Sequence, residues 1–168
     1  VKKVSFFIIV FSMLFGMAAC TSSKAAKEKL ILPDNVPTFV QEKEFEKVNW
    51  ERKAVEFGER GIVGNKNKSG VIAPEEMKSE RTEKWMWHFW GVEKPEDTSL
   101  TVVGYHKETE TVHQIVTEGW TRGIGGGSVN GADSHAVSHV VIPKPGEWAI
   151  LLYTNEKLFD TLVFDIKK

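Results

Sequence analysis

Trp85-Met86-Trp87-His88-Phe89-Trp90-Gly91 places four aromatic side chains, three of them tryptophan, within six residues of a chain that has six tryptophans in all. Read with period two, Trp85, Trp87 and Phe89 fall on one face, and Met86, His88 and Trp90 on the other. Aromatic residues at this density suit a pleated surface better than a helix, so the stretch reads as a strand. Both faces are bulky. One belongs in the core of a sandwich, and the other is either covered or used for binding.

Working outward, the chain keeps the punctuation of short strands. After the aromatic strand comes a loop through Pro95-Glu96-Asp97, then strands over residues 100–106 and 111–116 with Thr109-Glu110 near the turn between them. Residues 121–135 form a glycine-rich loop, and residues 136–142 a further strand. Residues 148–154 and 158–166 alternate around Asn155-Glu156 and predict a hairpin. On the N-terminal side, Gly58, Gly61, Gly64 and Gly70 recur, and residues 65–70 (Asn-Lys-Asn-Lys-Ser-Gly) read as a surface turn. The charged residues 75–83, after Pro74, predict one or two helical turns, and residues 39–50 a short helix or an edge segment. No helical periodicity is sustained anywhere in the domain. The pattern is that of an all-β sandwich or barrel, with one domain over residues 48–168 that is long enough for its own core.

The N-terminus carries a different signal. Val1-Lys2-Lys3 is followed by an apolar run over residues 4–15, broken only by Ser5 and Ser12. That run is too short for a membrane span of roughly 20 residues but has the length of a signal-peptide core. Met17-Ala18-Ala19-Cys20, which holds the sole cysteine, resembles the bacterial lipobox, with Met17 where leucine is usual. The resemblance implies cleavage before Cys20 and a diacylglyceryl group on its sulfur, with residues 1–19 a lipoprotein signal peptide. Each buried methylene contributes about 0.8 kcal/mol, so two acyl chains would hold the protein on the outer face of the cell membrane where one would not. Residues 20–47, lysine-rich and small at first and then extended by Pro33 and Pro37, are expected to be the lipidated cysteine and a flexible tether. Loss of residues 1–19 removes Lys2 and Lys3, leaving 20 basic against 23 acidic side chains, a formal −3. That balance argues against nucleic acid as a partner.

The run Pro143-Lys144-Pro145-Gly146-Glu147-Trp148 and the alternating hairpin after it resemble the end of many bacterial immunoglobulin-like domains. Together with the lipobox, the strand ending Trp-His-Phe-Trp-Gly is similar to small uncharacterised lipoproteins of Bacillus-type bacteria. Over about residues 55–168 this resemblance implies an immunoglobulin-like β-sandwich, and it transfers no catalytic residues.

Several constellations invite chemistry. His135 and His139 have the spacing of two metal ligands on a helix, but on a strand they would lie about 13 Å apart. His106 and His113 would face each other across a hairpin if its turn were the two residues Thr109-Glu110, whereas one more loop residue would set His106 opposite Val112. The run Gly123-Ile124-Gly125-Gly126-Gly127 lacks a phosphate-loop register and a following helix, which favours a flexible connection. Asp133-Ser134-His135 has the residue types of a hydrolase triad, yet consecutive side chains do not converge and no nucleophile elbow is present. Glu75, Glu76, Glu108 and Glu110 are expected to be a solvated surface. The tryptophans are expected mostly in the core. The exception is an aromatic platform formed by Trp90 with His88, to which Trp120 and the loop glycines Gly125, Gly126 and Gly127 are added as a candidate binding surface.

The sequence thus points to a lipid-anchored, extracytoplasmic, non-catalytic binding module. It has no cofactor, the membrane as one partner and an unidentified protein or glycan as another. The alternative is a copper- or zinc-handling surface lipoprotein that uses His106 and His113.

Overall fold

Trp85, Trp87 and Phe89 are completely buried, and the rest of the architecture closes around them. The computed structural model describes residues 30–168, so the signal peptide, Cys20 and the tether as far as residue 29 lie outside the described residues. One short helix, α1 (Glu42–Glu46), precedes ten strands. These are β1 (Val55–Phe57), β2 (Ile62–Asn65), β3 (Ser69–Ile72), β4 (Thr82–Phe89), β5 (Ser99–His106), β6 (Thr111–His113), β7 (Thr121–Gly123), β8 (Ser134–Val141), β9 (Gly146–Thr154) and β10 (Lys157–Ile166). They form two antiparallel sheets, a β-sandwich as expected. The first sheet has the order β1-β2-β3-β4-β8 and the second β10-β9-β5-β6, with β7 also paired to β5.

The inner face of β4 packs against the inner face of the second sheet. Trp85 meets Phe164 edge-on at 5.7 Å, and Phe89 meets Phe159 at 5.9 Å. Leu100, Val102, Trp148, Ile150 and Leu152 complete this core. Burying an indole also buries its N–H, which needs an acceptor. Trp87 Nε1 donates to Ser138 Oγ at 2.8 Å, and Trp148 Nε1 to the Lys144 carbonyl at 3.0 Å.

Strands β5 and β9 are apolar on both faces, so the second sheet has a second surface to bury. Val103, Tyr105, Leu151 and Tyr153 point away from the main core and are covered by residues 30–50. Phe39 packs on Tyr153 at 5.6 Å, and Phe45 and Trp50 on Tyr105 at 5.0 and 5.7 Å. Tyr153 Oη donates to Glu44 Oε2 of α1 at 2.8 Å. Burial, with the Glu44 carboxylate adding to it, pushes the Tyr153 phenol well above its ordinary range. This corrects the expected tether: residues 30–47 belong to the folded body, because without them two apolar strands would face water.

The Asn155-Glu156 turn is a two-residue hairpin loop with both φ angles positive (46° and 65°), the mirror-image turn that matches strand twist. Residues 75–83 are not helical. Ser79 N donates to the Lys167 carbonyl and Lys167 N to the Met77 carbonyl, so this segment caps the end of β10 before β4 begins. Ala54 N likewise donates to the Val163 carbonyl. The β8 edge of the first sheet is bridged by Val116 and Gly126. Covering edges in this way removes templates for pairing with another chain.

Candidate functional site

Trp90 follows directly on β4 and continues its outward-facing set. Its N–H donates to the Lys68 carbonyl in the β2–β3 turn, and its indole Nε1 donates to the Gly131 carbonyl at 2.6 Å. The ring is half-buried and tilted against Phe57 of β1 at 5.5 Å. Gly91, with φ of 83°, turns the chain away, and its N–H is taken by Asp133 Oδ2 at 2.6 Å.

Around Trp90 three loops meet: the β1–β2 turn, the β2–β3 turn and the Asn130-Gly131 turn of the glycine-rich segment. They enclose a cleft of about 240 Å3, whose lining includes Phe57, Arg60, Lys66, Asn67, Trp90 and Asn130. Loops held by a rigid sheet are where binding residues concentrate.

His88 lies beneath this cleft and is not part of an open platform, since it is fully buried. Its Nδ1 donates to the Met86 carbonyl at 3.0 Å, and its Nε2 accepts from Asn130 Nδ2 at 3.0 Å. Burial pushes its pKa below the ordinary histidine value; the Met86 bond opposes this, and the facing His135 adds to it. Both ring nitrogens are thus committed to holding the loop that carries Asn130, and His88 is a support for the cleft wall.

The glycines serve the same loop. Gly126 pairs with His135 of β8, and a Cβ placed on it would lie 2.1 Å from His135 Cε1, so any larger residue would have to displace the imidazole ring. His135 Nδ1 donates to the Gly127 carbonyl at 2.8 Å. Gly125 and Gly127 have open space around them and do not line the cleft. Trp120 lies elsewhere: it packs with the second cluster on the outer face of the second sheet, and its buried Nε1 has no partner.

The histidine pairs separate. His106 sits opposite Thr111 and His113 opposite Gly104, because the loop between β5 and β6 has four residues instead of two. Both rings pack at a tilt against Trp148, at 4.8 and 5.3 Å. His106 Nδ1 meets Thr109 Oγ1 at 2.8 Å, and its Nε2 donates to the Pro145 carbonyl at 3.0 Å, so neither nitrogen is open to an ion. His113 bonds Thr111 Oγ1 at 2.7 Å, and burial, then Lys144 and His106, lowers its pKa. His135 and His139 do lie on a strand, opposite His88 and Lys84 respectively. Among the described residues no group of three or more His, Cys, Asp or Glu is placed to hold a metal ion. Asp133, Ser134 and His135 diverge as well, with Asp133 on Gly91 and His135 on Gly127. Glu108 is more than solvated surface, since it accepts from Glu147 N at 3.0 Å and lies 2.9 Å from His106 Nε2.

A larger cavity, about 470 Å3, opens between β2–β3 and β10, floored by Val63, Ile72, Met77 and Phe164. Two of its carboxylates are already paired, Glu76 with Lys78 at 3.0 Å and Asp165 with Lys167 at 3.3 Å. Arg60 stands on the rim of both cavities. The sequence reading reached Trp90 but missed Phe57, Arg60, Lys66 and Asn130. The Asn130-Gly131 dipeptide is a turn signal that could have marked the last of these, whereas nothing local marks the others.

Residues 39–164 match the domain of unknown function DUF4871, and the chain belongs to that family. Among solved structures it is similar to the crystal structure of a "Putative Lipoprotein from Bacillus anthracis", with 20% identity and a TM-score of 0.63. The match covers 79% of this chain and 97% of that one. No curated protein matches the chain. Among the described residues no helix is long and apolar enough to cross a membrane.

Proposed function

We propose that this member of the DUF4871 family is a lipoprotein anchored through Cys20 to the outer face of the cell membrane, and that it binds a surface component through the Trp90 cleft without catalysing a reaction. The observation that carries the binding reading is the cleft itself. A half-buried tryptophan is fixed by its own N–H at the meeting point of three loops, beside Arg60 and Lys66, which make no salt bridge among the described residues. The anchor is supported by the basic, apolar and small-residue series before Cys20, and by the naming of the structural neighbour as a lipoprotein.

Two variants test this. Cys20→Ala should abolish incorporation of labelled fatty acid and release the protein from membranes; persistent labelling would refute the anchor. In that unanchored background the protein should still sediment with isolated cell envelopes, and adding Trp90→Ala should remove this while the chain stays folded. Equal sedimentation of the two unanchored forms would refute the cleft as the binding face.

A further inference from the structure

We propose that the Trp90 cleft takes a sugar ring bearing an anionic substituent, a carboxylate or a phosphate. This rests on the reading of the cleft as the binding face and names the chemistry of what it holds.

Trp90 gives the cleft an aromatic wall. Trp90 Nε1 is spent on Gly131, so the indole offers a ligand only its π surface, and Phe57, tilted at 57°, turns that surface into a corner. An aromatic wall beside polar groups suits a ligand with one apolar and one hydroxylated side. The C–H face of a pyranose can lie on the ring while its hydroxyls turn outward.

Asn67 and Asn130 supply the polar complement to that wall. Asn67, in the β2–β3 turn with φ of 59°, presents a primary amide, a donor and an acceptor side by side that match two neighbouring hydroxyls. Asn130 gives its Nδ2 to His88 and retains its Oδ1 as an acceptor. Charge then selects the substituent. Arg60 and Lys66 both line the cleft against one carboxylate, Glu59, and among the described residues neither cation makes a salt bridge. A guanidinium is suited to two-pronged contact with a carboxylate or phosphate, and the lysine adds a point charge.

Size and lining exclude the competitors. At about 240 Å3 the cleft is smaller than the ~300–1,000 Å3 of drug-sized pockets and suits a single ring. A docked helix needs a row of apolar anchors, and the lining supplies only Phe57, Trp90 and the buried Ile62. A nucleic-acid strand needs a basic groove that tracks its backbone, which two cations in one small cleft do not make.

The test is titration calorimetry of the full chain in mild detergent with four probes: a uronic-acid tetrasaccharide, a sugar-phosphate oligomer, a neutral tetrasaccharide of the same length and a mononucleotide. One or both acidic sugars should bind at least tenfold tighter than the neutral one, and the tighter of the two identifies the substituent. Trp90→Ala, and separately the exposed pair Arg60→Gln with Lys66→Gln, should each weaken that binding tenfold or more. Trp120→Ala, on the opposite sheet, should not change it. The proposal is overturned if neither acidic sugar binds, if the neutral sugar binds as well, if the mononucleotide binds tighter, or if either cleft variant binds like the wild type. Should no sugar bind while Trp90→Ala still abolishes envelope sedimentation, the saccharide assignment falls and the binding face stands. Should Trp90→Ala change neither, both fall.

Discussion

Replacing Asp160 with alanine should destabilise the protein by about 2–4 kcal/mol, a figure that follows from what the carboxylate holds. The register of β10 against β9 shifts between Leu158 and Asp160, and this bulge lets Phe159 and Asp160 both turn inward. Phe159 joins the core, while Asp160 reaches across to the first sheet. There it accepts from Ser69 Oγ at 2.6 Å and from Asn65 Nδ2 with both oxygens at 3.0 Å. Ser69 is fully buried and Asn65 is 6% exposed, so the carboxylate and not bulk water is their acceptor in the fold. A buried donor left unpartnered costs about 1–3 kcal/mol, and Ser69 bears this in full. Asn65 still donates to the Thr161 carbonyl at 3.0 Å, so its loss is about 1 kcal/mol. Urea unfolding followed by tryptophan fluorescence reads the effect. With a slope of about 2 kcal/mol per molar, the midpoint should fall by about 1–2 M. Asp160→Asn keeps one acceptor and should lose less. A cycle with Ser69→Ala should show coupling of at least about 0.5 kcal/mol. A midpoint within experimental error of wild type for Asp160→Ala would refute the pin.

Substitutions at three other places probe separate parts of the structure. Gly126→Ala must displace the His135 ring or the loop backbone, so the melting temperature should fall by several degrees, and an unchanged melting curve would show that the close approach is not needed. Tyr153→Phe deletes the bond to Glu44 and should cost about 1.5–3 kcal/mol in urea unfolding, while Glu44→Gln should cost less because an acceptor remains. His88 has a depressed folded pKa, so its contribution to stability is complete above about pH 6.5 and is lost as the pH falls below that value. The urea midpoint should therefore drop between pH 7.5 and 5.5, and drop less in His88→Gln; His113 contributes with the same sign, so the His88→Gln variant retains part of the slope. Identical pH profiles for wild type and His88→Gln would remove His88 from the account.

The strands were legible because each leaves a local trace. Trp85, Trp87 and Phe89 alternate with Met86, His88 and Trp90, and the β9–β10 hairpin turns at two residues that accept positive φ. What escaped was set by distance in sequence. The β5–β6 register hangs on whether two or four residues make the loop, a choice the local residues leave open, and the difference moves His106 from His113 to Thr111. Residues 30–47 mix apolar and charged side chains at no fixed period, and their need to pack follows from Tyr105 and Tyr153, which come far later in the chain. The Asp160 pin is invisible for the same reason, since a bulge decides which way one carboxylate points. In the cleft, Trp90 was conspicuous by composition alone. Its neighbours Phe57 and Asn130 arrive from β1 and from the glycine-rich loop, and only the sheet order brings them together.

The two outer faces of the sandwich are treated in opposite ways, and that contrast bears on how the protein would work at a membrane. The second sheet is roofed by residues 30–50, with Leu30 already packed against the roof. Among the described residues the outer face of the first sheet is covered at the Trp90 corner, where Phe57, Ile62 and the Asn130 loop close over Gly70 and His88, while Ile72, Met86 and Val137 stay half-exposed. Under the proposed anchor, Leu30 is ten residues from Cys20, a reach of at most about 35 Å when fully extended. The chain therefore enters the folded body on the side of the second sheet. Burying that sheet and tethering the protein from the same side leaves the first sheet, with the Trp90 cleft at its corner, free to meet a ligand beyond the bilayer. If the arm were instead a loose tether, the domain could turn either face to the membrane. Fastening the arm through Phe39, Phe45 and the Tyr153–Glu44 bond is what would give the cleft a direction. Tyr153→Phe should then speed limited proteolysis within residues 30–50 while binding at the Trp90 cleft is unchanged, and an unchanged proteolysis rate would refute this role for the arm.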